Sequence, residues 1–214
     1  MSAPRFWLIA GPNGAGKSTL LRGEPLRDLV PAIRCLNADD RTLQILQQRG
    51  YRGFHDAPPE TLVEAFFDAS DAVLGEVVAQ LELGAAVCVE TVLSTDKYCP
   101  VVNSVLARGG YFAFVYVALR SAELAAERVA ERVRAGGHAV PVDKIHARWH
   151  RSLLWLPWFA ARASVSWVFD NSDATPDLPP VLIAYGIEGK VQLVAPDAIP
   201  EITDALRDVP RLSG

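Results

Sequence analysis

The chain has 214 residues, half of them hydrophobic and 21% charged, with a net charge of -4. A mean hydropathy of +0.14 excludes wholesale disorder, because there is ample apolar surface to bury. The length suits one domain, no run approaches the roughly 18 apolar residues of a membrane span, and the mild acidity argues against a general nucleic-acid coat.

Taken in chain order, residues 5–10 (RFWLIA) read as a buried strand that runs into a glycine loop. That start lacks the layout of a signal peptide. Residues 17 to about 29 predict a helix bounded by Pro31, and 32–36 a second short strand leading into Asn37-Ala38-Asp39-Asp40. Residues 58–83 carry helical spacing through Leu62, Phe66, Ala69, Val73 and Val77, stopped by Gly84. A third strand over 85–89 ends at Glu90. A helix over 96–108 closes on Gly109-Gly110, and 111–119 is an aromatic and β-branched fourth strand. Ser121 caps a helix to about 135, Gly136-Gly137-His138 breaks it, and 141 to about 155 is the next helix. A fifth strand over 164–169 leads to Asp170-Asn171-Ser172.

Alternating strands and helices, with continuous apolar strands, predict a three-layer α/β/α fold around a mainly parallel five-stranded sheet. Right-handed crossovers then align the strand C-termini along one edge. After Thr175, residues 181–185 and 190–194 look like an added hairpin, and 201–207 like a final helix. The expected organisation is one domain: a core over 1–174 with a helical lid at about 120–157, and a C-terminal extension over 175–214. Three cysteines, Cys35, Cys88 and Cys99, have no CxxC spacing and cannot all pair, which predicts reduced thiols and a cytoplasmic location.

Gly11-Pro12-Asn13-Gly14-Ala15-Gly16-Lys17-Ser18, followed by Thr19, matches GxxxxGK[ST] between a strand and a helix. Glycines let backbone N–H groups converge on phosphate oxygens, and the helix start adds positive charge. Lys17 is expected to reach the β- and γ-phosphates of ATP, and Ser18 to ligate Mg²⁺. No NKxD or LSGGQ segment is present, and the chain is short for a AAA module. The remaining layout is a compact kinase with an arginine-bearing lid.

A hydroxyl kinase needs a carboxylate within reach of its acceptor. Asp39 is the candidate base, unless Asp39 or Asp40 caps the following helix. Glu90 either organises Mg²⁺ water, contacts the acceptor, or is a cap or surface charge. Thr91, Ser94 and Thr95 add polar donors beside it. The window from Arg120 to Arg151 carries six Arg and one Lys against four acids, a local +3 within the acidic chain. Arg128 and Arg132 share a helix face, which suits phosphoryl stabilisation over a cleft, or a solvated face with local ion pairs. His138 could touch phosphate or acceptor, or serve as a turn residue. Arg148 and Arg151 are further candidates for anion contacts. Trp149, Trp155 and Trp158 read as core or interface, with base stacking as the alternative.

The strings GPNGAGKST, NAD, ETVLS, RVAERVRAGGHAVP and FDNS together resemble the zeta-toxin-like P-loop kinases, over about residues 6–172. The resemblance implies γ-phosphate transfer from ATP to a hydroxyl of UDP-N-acetylglucosamine, and an antitoxin partner. It assigns Lys17 and Ser18 to ATP and Mg²⁺, Asp39 to the base, and Glu90 and Thr91 to the acceptor. Arg128 and Arg132 go to the phosphoryl group, and Asp170 and Asn171 to the adenine side. Kinases of other hydroxyl acceptors, or an ATP-binding regulatory module, are the alternatives.

Overall fold

The computed structural model describes residues 2–23, 30, 33–173 and 178–212. The elements are β1 (Arg5–Ala10), α1 (Lys17–Arg22), β2 (Cys35–Asn37), α2 (Ala38–Gln48), α3 (Pro59–Glu82), β3 (Ala86–Thr91), α4 (Cys99–Ala107), β4 (Tyr111–Ala118), α5 (Ala122–Arg134), α6 (Val142–Ala160), β5 (Val165–Asp170), β6 (Val181–Ile187), β7 (Lys190–Leu193) and α7 (Pro200–Ala205). The sheet order is β2-β3-β1-β4-β5-β6-β7. The first five strands in that order are mutually parallel, and β6 and β7 are antiparallel.

The period of two in β1 explains the layers. Phe6, Leu8 and Ala10 enter one core with Val73 and Val77 of α3, Val102 of α4 and Phe159 of α6. Trp7 and Ile9 enter the other, with Leu20 of α1, Ala125 and Val129 of α5, and Trp149 of α6. Helices therefore cover both faces, as continuous apolar strands require. Burial on both faces explains why these strands lack polar alternation.

Several boundaries differ from the sequence reading. α1 ends at Arg22 with Gly23 as its C-cap, and the remainder of the expected helix, 24–29, lies outside the described residues. α2 has no bounds in the sequence reading; its apolar content is low, and Asn37 starts it as N-cap, its side chain accepting from the Asp39 amide at 2.8 Å. α6 continues past Trp155 to Ala160, carrying Pro157 inside it.

The sheet has seven strands, not five, because the hairpin joins the β5 edge instead of standing apart. Its two-residue turn places Glu188 at φ 50° and Gly189 at φ 73°, both positive, which matches the right-handed strand twist. Ile183, Val191, Ile199, Ile202, Leu206 and Val209 of the C-terminal stretch are buried in the Phe6 core. Backbone bonds from Val191 to Pro210 and from Leu212 to Val191 cover part of the β7 edge.

The expectation of three reduced thiols is also corrected. Parallel register sets Cys35 of β2 opposite Cys88 of β3, with Cα atoms 4.5 Å apart, and the two form a disulfide. Cys99 is free. Among the described residues, no helix is long and apolar enough to cross a membrane.

Candidate active site

The loop after β1 emerges at the middle of the parallel sheet, where crossovers leave in opposite directions. That is where open α/β sheets bind ligands. Parallel register brings Asn37, Glu90 and Ala10, and on the other side Ala118 and Asp170, to the same C-terminal edge.

Gly11, Gly14 and Gly16 have φ of 144°, 75° and 81°, values that side chains other than glycine rarely adopt. A Cβ on Gly14 would lie 2.8 Å from the Ala125 carbonyl oxygen, so α5 packs directly on the loop. Ala15 N–H bonds to the Pro12 carbonyl at 3.2 Å, closing the turn from Pro12 to Ala15. Thr19 follows on the exposed side of α1. The Asn13 side-chain oxygen is buried without a hydrogen-bond partner among the described residues. A cradle of backbone N–H groups at a helix start fits a nucleotide phosphate chain.

Lys17 is buried, and its ammonium donates to the Gly11 and Pro12 carbonyls at 2.9 and 3.1 Å. Burial pushes its pKa down; the charges of Glu90 and Asp39 oppose that, and Arg132 adds to it. Ser18 donates its hydroxyl to both carboxylate oxygens of Glu90, at 2.9 and 2.8 Å. Glu90 thus sits beside the residue expected to bind metal. Hard oxygen donors at one point suit Mg²⁺, which keeps most of its ligands as water and phosphate. Among the described residues, no cluster of three or more His, Cys, Asp or Glu could hold a metal alone.

The two acids after β2 part company. Asn37, not Asp39 or Asp40, is the cap. Asp39 turns toward the cleft, with Oδ1 3.9 Å from Nε2 of His138. Asp40 lines a cavity of about 250 Å³ between β2, α2 and α3, beside Arg41, which pairs with Glu76. That cavity shares Asn37 with the cleft but does not include the phosphate loop. Thr91 accepts from the Leu93 amide through its hydroxyl at 3.3 Å. Leu93, buried at φ 60°, turns the chain there and leaves Ser94 half-buried at the bend. A buried leucine in that conformation is strained, and such strain concentrates at functional loops.

The two lid arginines differ. Arg128 donates to the carbonyls of Asn171 and Ser172, both at 2.8 Å. Its guanidinium thus holds the loop after β5, so the two arginines expected as a pair have different partners here. Arg132 makes one 3.5 Å bond to the His138 carbonyl and acts by charge on Lys17 and His138. Asn171 is buried and donates its side-chain amide to the Ala15 carbonyl at 2.7 Å. Asp170 accepts from the amide and hydroxyl of Ser172 at 2.8 and 2.5 Å. Asn171 therefore braces the phosphate loop from outside, while Asp170 orders the turn that carries it. Arg148 lies near Asp39, whose charge raises its pKa against the larger lowering effect of burial.

Phe54, His55 and Phe66 also reach this cleft, around His138, and sequence reasoning had not placed them there. Phe66 was visible only as part of the apolar stripe of α3. Phe54 and His55 lie between α2 and α3, where no periodicity marks a residue.

The family model described as Zeta toxin matches residues 1–166. No curated protein matches the chain. Among solved structures, an AvrRxo1-ORF1:-ORF2 complex with ATP aligns at a TM-score of 0.67 with 15% identity, covering 99% of this chain and 65% of that one. The same complex with sulphate ions is covered over 63% of its matched chain, so this chain spans under two thirds of those neighbours. The PezAT toxin-antitoxin system of Streptococcus pneumoniae aligns at 0.58 with 17% identity, over 83% of this chain and 71% of that one. A putative kinase from Chloroflexus aurantiacus aligns at 0.53 with 15% identity, over 69% and 78%. At these identities the likeness establishes a shared fold.

Proposed function

The chain belongs to the zeta toxin family, and from that premise we propose that it is a kinase that moves the γ-phosphate of ATP onto a hydroxyl of a nucleotide sugar such as UDP-N-acetylglucosamine. The observation that carries this reading is one constellation. Lys17, the Ser18–Glu90 pair, Asp39 and Arg132 interact across a single cleft at the C-terminal sheet edge.

In this reading the loop amides and Lys17 hold the phosphates, and Ser18 with Glu90 beside it holds Mg²⁺. The ion, when bound, neutralises charge on phosphate oxygens. Asp39 accepts the proton of the acceptor hydroxyl while the new O–P bond forms. The bond to the β–γ bridging oxygen breaks, and ADP leaves. Arg132 stabilises charge on the transferring phosphoryl group, whereas Arg128 holds the loop after β5. Thr91, Ser94 and Arg148 line the acceptor side. The PezAT neighbour, a toxin-antitoxin system, supports an antitoxin as the protein partner.

The test is transfer from [γ-³²P]ATP to a panel: UDP-N-acetylglucosamine, other nucleotide sugars, nucleosides, an aminoglycoside and nucleic-acid ends. Labelled UDP-N-acetylglucosamine is the expected product, and its loss in Asp39→Asn with ATP binding retained supports the base. Labelling of another acceptor would move the substrate class. Slow hydrolysis unaffected by every acceptor would favour a regulatory ATP-binding module.

A further inference from the structure

The Gly136-Gly137-His138 turn carries a buried imidazole into the cleft. His138 is 7% exposed. Its ring centroid lies 4.8 Å from that of Phe54 and 5.5 Å from that of Phe66, and the two phenylalanines are 6.0 Å apart. The preceding carbonyl, Gly137, accepts from His55 Nε2 at 3.1 Å. The His138 carbonyl accepts from Arg132. A Cβ on Gly137 would lie 2.7 Å from Cγ of Arg132, so the turn has no room for a side chain there. Four segments thus fix one ring: α5, α3, the stretch between α2 and α3, and the turn itself.

The edge of that ring faces Asp39, with Nε2 3.9 Å from Oδ1. We propose that His138 is a positioning residue for phosphoryl transfer, holding the Asp39 carboxylate through Oδ1 so that Oδ2 faces the acceptor hydroxyl. This rests on Asp39 being the base. The ring is neutral above its lowered pKa. Burial is the main cause, Arg132, Arg148 and His55 act in the same direction, and Asp39 opposes them. A neutral imidazole has one N–H to give, and on Nε2 it reaches Asp39 after a small rotation of the carboxylate. An imidazolium there would instead hold Asp39 in an ion pair and weaken it as a base. Because the ring arrives on the lid turn, proton acceptance depends on where the lid sits. The base is then in register only when the turn is docked on Phe54 and Phe66, a condition that limits wasteful transfer to water.

Two substitutions separate packing from the N–H. His138→Phe retains an aromatic ring against Phe54 and Phe66. His138→Gln keeps an N–H near the position of Nε2. Transfer to UDP-N-acetylglucosamine should fall on the order of 10²-fold in kcat in the first, as misplacement of a reacting group by about 1 Å does, with KM for ATP unchanged. The second should recover most of that loss. Equal kcat in His138→Phe and wild type, or equal loss in both variants, overturns the proposal. Adding His138→Phe to Asp39→Asn should cost nothing further if the histidine acts through the base. If Asp39→Asn alone is fully active, the base reading fails, a result distinct from a dead Asp39→Asn with an active His138→Phe. Imidazole titration by ¹H–¹⁵N NMR gives a readout independent of any acceptor. The His138 pKa should fall further in Asp39→Asn, and no change overturns the pairing.

Discussion

The two sides of the cleft are built in different ways. On the phosphate-loop side, Lys17, Asn171 and Arg128 each end on backbone carbonyls at 2.7 to 3.1 Å. On the side proposed for the acceptor, Asp39, His138 and Arg148 face one another through ring contacts and charge, and the Asp39–His138 approach is 3.9 Å. A triphosphate is the same in every kinase, so its cradle can be fixed in advance by short bonds. Acceptors differ from kinase to kinase, and in the proposed reading that side is completed by the lid turn.

Breaking the chemistry on either side should produce the largest effects. Lys17→Ala and Asp39→Asn should each lower transfer by about 10³-fold or more. The first should also weaken ATP binding and the second should not, as measured by titration with a fluorescent ATP analogue. Equal ATP affinities in the two variants would erase the contrast between the sides.

The arginines sharpen it next. Arg132→Ala should lower kcat by about 10²–10³-fold with little change in melting temperature. Arg128→Ala should instead lower the melting temperature, because two carbonyls lose a charged donor. Its kcat should fall less than that of Arg132→Ala. Steady-state kinetics beside thermal denaturation decides between these patterns, and the reverse order would return Arg128 to the phosphate.

Asn171→Ala leaves the buried Ala15 carbonyl without its donor, and should cost about 1–3 kcal/mol. For a chain of this size each kcal/mol is about 2–4 °C in melting temperature by calorimetry. An unchanged melting temperature would mean that the loop does not depend on that brace.

The smallest expected effect is a pH dependence on the acceptor side. The folded-state pKa of His138 is below its ordinary value, chiefly through burial. The fold therefore favours the neutral ring. That contribution is complete above about pH 6.5, the unfolded value, and is lost as pH falls below it. Wild type should lose melting temperature between pH 7 and pH 5 relative to His138→Phe. A constant difference across that range would contradict the direction of the shift.

Local chemistry was readable because it is local. A strand ending in GxxxxGK[ST] fixes a phosphate loop by glycine geometry and helix start, wherever the chain lies. Ser121 as a cap and Gly189 in a hairpin turn follow from the same short-range rules. The parallel sheet followed from apolar runs separated by helices. Asp39 is a candidate because it follows a strand beside that loop, but Asn37 takes the cap only once the backbone angle at the strand end is set. The pairing of Cys35 with Cys88 depends on strand register, which spacing of 53 residues does not disclose. The hairpin was legible as two strands, while its place in the sheet depended on which edge was open.

The sequence by itself determined the class of the fold, the phosphate loop and the set of acids and arginines from which a site could be made. The tertiary structure decided their partners. It turned Arg128 to the carbonyls of Asn171 and Ser172, left Arg132 facing the cleft, parted Asp39 from Asp40, and set His138 between Phe54 and Phe66. The reason is physical: glycine angles and helix caps act over a few residues, whereas a guanidinium or an imidazole takes its partner from whichever distant segment packing brings within reach.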